Sequence, residues 1–505
     1  RGVPEEAGSA LFPAITLAGV YDQFEDKWRE PVNAPNCLFI RTCFDGQPLS
    51  VEDGSPQDHN TALDYRHGIY SRKTDDAAAG IASRRFVSMA SPHLMADEYQ
   101  LSFRQDGEMT LQAGISIDLW DINGPHLFDF QFEVGETLAA SCVTGQKKIN
   151  LAAAQCVQAD FKAEKSLRQD ETGVFRVYRR RVRAGETLTL RVFSAVYTSL
   201  DTSAPAGAAR DCCRQAKAAG LSACLEAHFD AWEKIWALSE ITLEGNEEAA
   251  LFLHASQYHL NCVAPRHAHN MSIPARGLSG QTYKGAIFWD SEMFFFPMFV
   301  YTQPQIAESL LRYRIETLDG ARKKAAEYGC RGAFYAWESQ EGGAEGCTNF
   351  NVVDVFTHRP VRTYFRDKQI HISADIAYAL RSWYDITGDR ALLEEGGAKV
   401  ILECARFYLS RANGHLDSER VDFADVIGPD EYHERVANNS FTNEMIRHCL
   451  ESALLLKDIF ADRPAWFADL LKELDYEKDW ALLPALKDRI CPPKERNGVF
   501  EQFDG

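Results

Sequence analysis

The spacing of the hydrophobic residues changes once along this 505-residue chain, near residue 205, and that change constrains the fold more than any single motif. Before it the sequence reads as strands. In Leu111-Gln112-Ala113-Gly114-Ile115-Ser116-Ile117-Asp118-Leu119 the apolar side chains take every second position, which puts them on one face of a sheet. Asp106-Gly107 before this run and Asn123-Gly124 after it are hairpin-type turn signals. The same grammar returns in Val174 to Val182, a turn at Ala184-Gly185, and Leu188, Leu190 and Val192. Residues 1–205 are therefore expected to form a large antiparallel β-sandwich. Within it, Arg176 and Arg179-Arg180-Arg181 alternate between strand faces and are expected to pair with acidic neighbours rather than to hold an anion. Trp120-Asp121 is expected to close a strand end rather than to edge a sugar pocket.

At Ala204-Pro205-Ala206-Gly207-Ala208-Ala209 the strand residues give way to Ala, Lys, Glu and Gln. Leu225, Phe229, Trp232 and Ile235 then step by four and three, so 206–245 reads as a helical linker of one or two helices, with Leu238 to Leu243 as an extended crossing. From residue 246 the period is helical. Leu311, Ile315, Leu318, Ala321 and Ala325 form one stepped series; Ile376, Leu380 and Trp383 a second; Val400, Cys404 and Phe407 a third; Ile446, Leu450 and Ala453 a fourth. Thr387-Gly388-Asp389 is a C-cap glycine followed by a new start. Helices joined alternately by tight turns and by long, aromatic-rich polar loops suggest an α/α toroid over 246–505, its long loops building a site.

Composition excludes several classes. At 45% hydrophobic and 25% charged the chain can bury a sizeable core. Its 54 basic and 73 acidic residues give a net charge of −19 without a basic footprint, so no nucleic-acid partner is expected. No run approaches the roughly 18 apolar residues of a membrane span, and Arg1 to Ala10 lacks the apolar core of a secretory signal. Thirteen scattered cysteines, with Cys212-Cys213 adjacent but no C-x-x-C, fit buried thiols in a reducing cytoplasm rather than a zinc site. No metal and no organic cofactor is expected.

The chemistry concentrates in Val426-Ile427-Gly428-Pro429-Asp430-Glu431-Tyr432-His433-Glu434, three carboxylates and an imidazole beside a Gly-Pro break that should stop an incoming helix. Three further loops join a flat aromatic to carboxylates and fork-shaped donors. One holds Arg276-Gly277-Leu278-Ser279-Gly280 and runs into Phe288-Trp289-Asp290-Ser291-Glu292. Another holds Ala336-Trp337-Glu338-Ser339-Gln340-Glu341, and the third runs from Asn349 through Arg362 and Gln369 to His371. Sugars need this mixture, because their C–H faces stack on aromatic rings while their hydroxyls want paired donors and acceptors. Glu431 is read as a proton donor, its pKa raised by Asp430 and Glu434 beside it. Asp290 can accept from two hydroxyls at once or serve as a helix N-cap after Trp289. Glycosidic cleavage also needs an attacking group, and no second carboxylate stands out as base or nucleophile. Either the base lies elsewhere or the attacker brings its own charge, as phosphate does. No Walker-type glycine loop is present, which disfavours nucleotide-driven phosphoryl transfer.

Phe288-Trp289-Asp290-Ser291-Glu292, His371-Ile372-Ser373-Ala374-Asp375, Gly428-Pro429-Asp430-Glu431-Tyr432-His433-Glu434, Glu501-Gln502-Phe503-Asp504-Gly505 and, near the start, Leu17-Ala18-Gly19-Val20-Tyr21-Asp22 resemble glycoside hydrolase family 65 over nearly the whole chain. That family holds inverting phosphorylases of maltose, trehalose, kojibiose, nigerose and glucosylglycerol, with a minority of hydrolases. The resemblance implies a β-super-sandwich, a helical linker and an (α/α)6 barrel catalytic domain, here 1–205, 206–245 and 246–505. It implies Glu431 as general acid, Trp289 and Asp290 on the non-reducing glucosyl unit, Trp337, Glu338 and Ser373 on the acceptor side, and His371 with the substrate-binding residues. A sugar and inorganic phosphate are the expected co-substrates, and a homodimer the expected assembly. Water as attacker, in a hydrolase of the same fold, is the alternative; a non-catalytic sugar-binding scaffold is the second.

Two departures from the family pattern carry expectations. In the family the phosphate-binding loops follow Gln-Phe-Asp-Gly, whereas this chain stops at Gly505, and its Arg1-Gly2-Val3-Pro4-Glu5-Glu6 resembles an internal segment. The barrel is therefore expected to be truncated, with a further C-terminal segment or second polypeptide needed for turnover. The loop Thr357 to Arg366 is longer than in the maltose and kojibiose enzymes, which favours another acceptor, such as the glucose of nigerose or a small polyol.

Overall fold

The computed structural model describes residues 14–51, 56–277, 282–350, 352–412 and 418–505. The opening Arg1-Gly2-Val3-Pro4-Glu5-Glu6 and the Leu278-Ser279-Gly280 part of the first aromatic loop lie outside the described residues. The chain divides into two compact units, Arg1–Cys262 and Val263–Gly505.

The first unit is built on two antiparallel sheets. The larger runs, edge to edge, Leu127–Glu133, Leu138–Thr144, Asn150–Ala159, Thr187–Thr198, Leu94–Phe103, Ala79–Val87, Ile69–Asp75 and Asp58–Asp64. The smaller runs Glu164–Asp170, Gly173–Val182, Gly107–Ser116, Asn36–Phe44 and Gln47–Pro48. Alternation does its expected work in Gly107–Ser116, where Met109, Leu111, Ala113 and Ile115 are fully buried. Met109, Leu111 and Ala113 share a cluster with Ile40 and Tyr178 of their own sheet and with Tyr99, Leu101, Leu190 and Val192 of the other, so this core fills the space between the sheets. The three turn signals do not make hairpins. Asp106-Gly107, Asn123-Gly124 and Ala184-Gly185 each carry the chain from a strand of one sheet to a strand of the other. Turn chemistry reports only that the chain reverses, not which sheet receives it. Within the arginine cluster Arg180 meets the acidic Glu186 as expected, whereas Arg176 donates to the carbonyls of Gly135 and Glu136 instead of a carboxylate.

Three helices complete this unit: α1 (Pro205–Ala219), α2 (Leu221–Ser239) and α3 (Glu247–Val263). Ala209, Cys213, Ala216, Leu221 and Leu225 cluster with Ala139, Ala154, Phe193 and Ala195 of the larger sheet, small residues on both sides letting the helices lie close. Thr187–Thr198 is therefore buried on both faces and departs from simple alternation. The extended crossing starts later than expected, because α2 runs through Leu238 and Ser239. The first compact unit runs to Cys262 and so takes in α3 as far as that residue. Tyr258 of α3 stacks on Trp232 of α2, ring centroids 5.1 Å apart, which holds α3 to the first unit.

Glu30, Asp121 and His126 bring potential ligand atoms within 4.8 Å of one another, a grouping with no local trace in the sequence. Hydrogen bonding accounts for the Glu30–His126 part of it. His126 Nε2 lies 2.9 Å from Glu30 Oε1, and Asn123 donates its backbone N (2.8 Å) and Nδ2 (3.1 Å) to the same carboxylate. His126 Nδ1 faces Asp22 Oδ2 at 3.9 Å. Burial pushes Glu30 up, but His126 and Asn123 outweigh it and hold the carboxyl below its usual value. Burial pushes His126 down, and Glu30, Asp121 and Asp22 outweigh that and raise it. The pair's stabilisation is thus complete between the unfolded values of about 4.5 and 6.5, lost as pH falls through the depressed Glu30 value and lost as pH rises through the raised His126 value. Thermal melting should show wild type losing its advantage over His126→Asn on the alkaline side; parallel curves at all pH values would contradict this pairing.

The second unit is helical: α4 (Phe296–Thr302), α5 (Pro304–Glu316), α6 (Leu318–Glu327), α7 (Phe365–Lys368), α8 (Ile372–Thr387), α9 (Ala398–Arg411), α10 (Ser440–Ile459), α11 (Pro464–Glu473) and α12 (Glu477–Arg489). The stepped residues Ile376, Leu380 and Trp383 of α8, Val400, Cys404 and Phe407 of α9, and Ile446, Leu450 and Ala453 of α10 are all buried, and these three helices pack on one another. Gly388, at φ 69° and ψ 0°, closes α8 in the left-handed conformation. The 311–325 series is divided: Thr317 separates α5 from α6, its Oγ1 donating back to Tyr313 O at 2.7 Å. Among the described residues no helix is long and apolar enough to cross a membrane.

Candidate active site

The Glu431 loop has a pinned neck. Val426 and Val436 exchange backbone hydrogen bonds of 3.0 and 2.9 Å, and Ile427 N donates to Lys368 O at 3.1 Å. No helix runs into Gly428-Pro429, since 418–427 is irregular, so the pair punctuates a loop. Gly428 serves close approach rather than an unusual backbone angle. A Cβ there would lie 2.3 Å from Asn439 Nδ2, and Asn439 caps α10 by accepting from Thr442 N at 3.0 Å. Gly428→Ala should therefore cost about 1–3 kcal/mol through overpacking against that cap. Urea unfolding reads it, and a midpoint unchanged from wild type would contradict the packing argument.

The three acidic residues of this loop have separate fates. Asp430 accepts from Gln502 Nε2 (2.9 Å), Tyr432 N (3.0 Å) and His433 Nδ1 (2.7 Å), donors that bring its carboxyl down to about 2. It stays ionised as a brace between the loop and the Glu501-Gln502-Phe503-Asp504-Gly505 segment. The expectation that Asp430 and Glu434 raise Glu431 is corrected: partial desolvation raises it, Asp290 adds to the rise, and Gln369 and His371 oppose it. Gln369 Nε2 donates to Glu431 Oε1 at 3.1 Å. Nothing in the structure assigns Glu434 a part in this.

Trp289 and Asp290 sit where the 288–292 segment enters a single π-type turn, Ser291–Phe295. Asp290 makes no side-chain capping bond to that turn, so the N-cap reading is not realised. Its carboxyl is raised, by burial first, with Arg314 pulling the other way. Arg314 itself is held by Glu292 through two bonds of 2.8 Å, and its Nη2 donates to Phe288 O at 2.9 Å; both side chains are fully buried. The Trp289 ring meets the His371 ring edge-on, centroids 5.0 Å apart at 80°. His371 Nδ1 lies 2.6 Å from Asp375 Oδ2, and its buried Nε2 has no hydrogen-bond partner among the described residues. A carboxylate that fixes one ring nitrogen orients the other, here next to Trp289.

Trp337 is half-buried, its ring edge-on to Phe288 (5.0 Å) and near-parallel to Phe365 (5.6 Å). Glu338 is buried and accepts from Lys284 Nζ at 2.7 Å; burial raises its pKa and Lys284 offsets part of that. Ile287 and Ser339 exchange backbone bonds of 2.8 and 2.9 Å, so the two aromatic loops are tied together. Ser373 differs from the expectation drawn for it: it is fully buried, its Oγ accepting from Tyr335 N at 3.0 Å, so in this state it fastens α8 to the loop rather than standing on the site's surface. The Thr357–Arg366 loop contributes to a short hairpin in which Val352–Val353 pairs with Pro360–Val361.

Sequence reading missed Gln369 as the partner of Glu431 and Gln502 as the brace of Asp430. Gln369 carried a weak signal, a polar residue between an aromatic loop and His371; Gln502 carried none beyond its motif.

A helical unit with aromatic rings, a raised carboxyl on a braced loop and buried acceptors beside it, in a chain that also carries an antiparallel sandwich, is the build of an enzyme of glycosidic bonds. The chain belongs to glycosyl hydrolase family 65: residues 1–235 match the family's N-terminal domain and residues 254–505 its central catalytic domain. It is 41% identical to a nigerose phosphorylase of Lachnoclostridium phytofermentans, over 100% of this chain and 71% of that protein. It is 33% identical to a 1,2-alpha-glucosylglycerol phosphorylase of Bacillus selenitireducens, over 100% of this chain and 67% of that one. A solved human-microbiome protein with the provisional name kojibiose phosphorylase matches at a TM-score of 0.82 and 20% identity, covering 99% of this chain and 67% of its own, a likeness of fold.

Proposed function

We propose that this chain supplies the general acid and the sugar-binding residues for inverting phosphorolysis of an α-glucoside. Inorganic phosphate attacks the anomeric carbon from the face opposite the glycosidic bond and that bond breaks. Glu431 passes its proton to the departing oxygen, and β-glucose 1-phosphate and a free acceptor result. The observation that carries the reading is the contrast within one loop: Asp430 is committed to three donors, whereas Glu431 is raised and, among the described residues, accepts one hydrogen bond, from Gln369. A raised carboxyl is what a general acid needs near neutral pH. In this reading Trp289, Asp290 and His371 hold the glucosyl unit, Trp337 and Glu338 face the acceptor, Ser373 supports that side from within, and the helices of the second unit belong to an (α/α)6 barrel. We further read the protein as a cytoplasmic homodimer that uses phosphate as co-substrate and no cofactor.

Because the nigerose phosphorylase is 41% identical, nigerose is the first substrate to offer. Incubation of the intact protein with nigerose should release glucose only when phosphate is present, with one β-glucose 1-phosphate formed per glucose. Equal glucose release without phosphate would replace phosphorolysis by hydrolysis.

A further inference from the structure

Glu345 takes no part in the chemistry above, yet the Trp337-Glu338 loop is organised around it. Its Oε2 accepts from Lys324 Nζ at 2.7 Å and from Trp337 N at 2.8 Å; its Oε1 accepts from Glu338 N and Cys347 N, both at 3.0 Å. An ionised carboxylate offers about four acceptor positions, and here all are filled, three by peptide N–H groups of one loop. Both partners of the ion pair are buried, each side chain 3% exposed. Lys324 is fixed in turn: its Nζ donates to Tyr335 O at 3.2 Å and lies 3.8 Å from the centre of the Phe334 ring. Lys284 closes the same loop through Glu338 Oε2 (2.7 Å) and Gly346 O (2.8 Å). Burial would raise the Glu345 carboxyl, but Lys324 and the loop amides hold it below its usual value.

We infer that Glu345 is a positioning residue for acceptor recognition, holding the Trp337 ring and the Glu338 carboxylate as one preorganised platform for the sugar that leaves or enters. This rests on the proposed reading that Trp337 and Glu338 face the acceptor. The Glu431 loop is held by a different set of contacts, those of Lys368 O, Gln369 and Gln502. Disturbing Glu345 therefore separates acceptor affinity from bond cleavage. Glu345→Gln keeps the outline of the side chain but turns one acceptor oxygen into an NH2 group facing N–H donors, and it leaves Lys324 without its counter-charge. A second variant, Glu345→Gln with Lys324→Met, removes the uncompensated charge, which in buried pairs is the main cause of misfolding, while still lacking the amide clamp.

The test runs the reaction in the synthetic direction, with β-glucose 1-phosphate and glucose, on both variants after circular dichroism has shown which of them folds. The acceptor KM should rise by about 10- to 100-fold, the scale of losing a positioned contact. The KM for β-glucose 1-phosphate and the kcat at saturating glucose should change less than about threefold, as for an interaction that the acceptor makes equally in the ground and transition states. Calorimetric titration of glucose should show a matching loss of affinity whether or not turnover is detected. Failure of phosphorolysis in the wild type thus remains distinguishable from failure of this inference. An unchanged acceptor KM and glucose affinity in a folded variant would overturn it, as would kcat falling with the acceptor KM unmoved.

Discussion

Glu431→Gln should lower kcat/KM for phosphorolysis of a glucobiose by about 10²–10⁴-fold, the usual worth of a positioned acid, while glucoside binding stays within a few-fold of wild type. The amide keeps the size of the side chain and can still bond to Gln369, but it has no proton to give the leaving oxygen. The pH dependence follows from the raised Glu431. The acid works only when protonated, so kcat/KM should be retained below the raised pKa and fall as pH climbs through it. Asp290 contributes to that rise. Among variants at Asp290 that still turn over, Asp290→Asn should therefore move the alkaline limb to lower pH, and an alkaline limb that stays in place would count against the coupling.

Arg314→Met is expected to destabilise the second unit by about 3–5 kcal/mol, the range for leaving one member of a buried ion pair without its partner. Arg314 and Glu292 are fully buried, joined by two bonds of 2.8 Å, and Arg314 also holds Phe288 O next to Trp289. The cost comes from the stranded Glu292 carboxylate more than from the attraction lost. Adding Glu292→Leu should therefore recover most of the stability without restoring the pair. Urea unfolding of the two single variants and the double variant gives the coupling directly. A single Arg314→Met variant as stable as wild type would sink this account.

What was legible in the sequence was what local spacing decides. The alternation in 107–116 and the three-to-four steps of α8, α9 and α10 report which face is apolar, and those faces are buried. The destinations of turns were not legible. Asp106-Gly107 has the chemistry of a hairpin and makes a sheet crossing, because the opposing apolar face that rewards the crossing lies in strands remote in sequence. Nothing near Tyr258 in sequence announces its stacking on Trp232. The site divides the same way. Trp289, Asp290, Trp337 and Glu338 could be named because an aromatic beside a carboxylate is a local pattern. Gln369 reaches Glu431 across 62 positions and Gln502 reaches Asp430 across 72, so neither role has a local trace. Asp430 shows the reverse: adjacency suggested that it tunes Glu431, but a carboxylate that can be satisfied by three donors turns to them instead.

If Glu431 gives a proton to the leaving oxygen, a leaving group that needs no proton should be nearly indifferent to its loss. Phosphorolysis rates of wild type and Glu431→Gln should be compared on nigerose and on α-glucosyl fluoride, whose fluoride departs as an anion. Glu431→Gln should lose about 10²–10⁴-fold on nigerose and less than about tenfold on the fluoride, because only nigerose has a leaving oxygen that needs a proton. Equal losses on both substrates would contradict proton donation, and would make Glu431 a binding or folding residue rather than the acid.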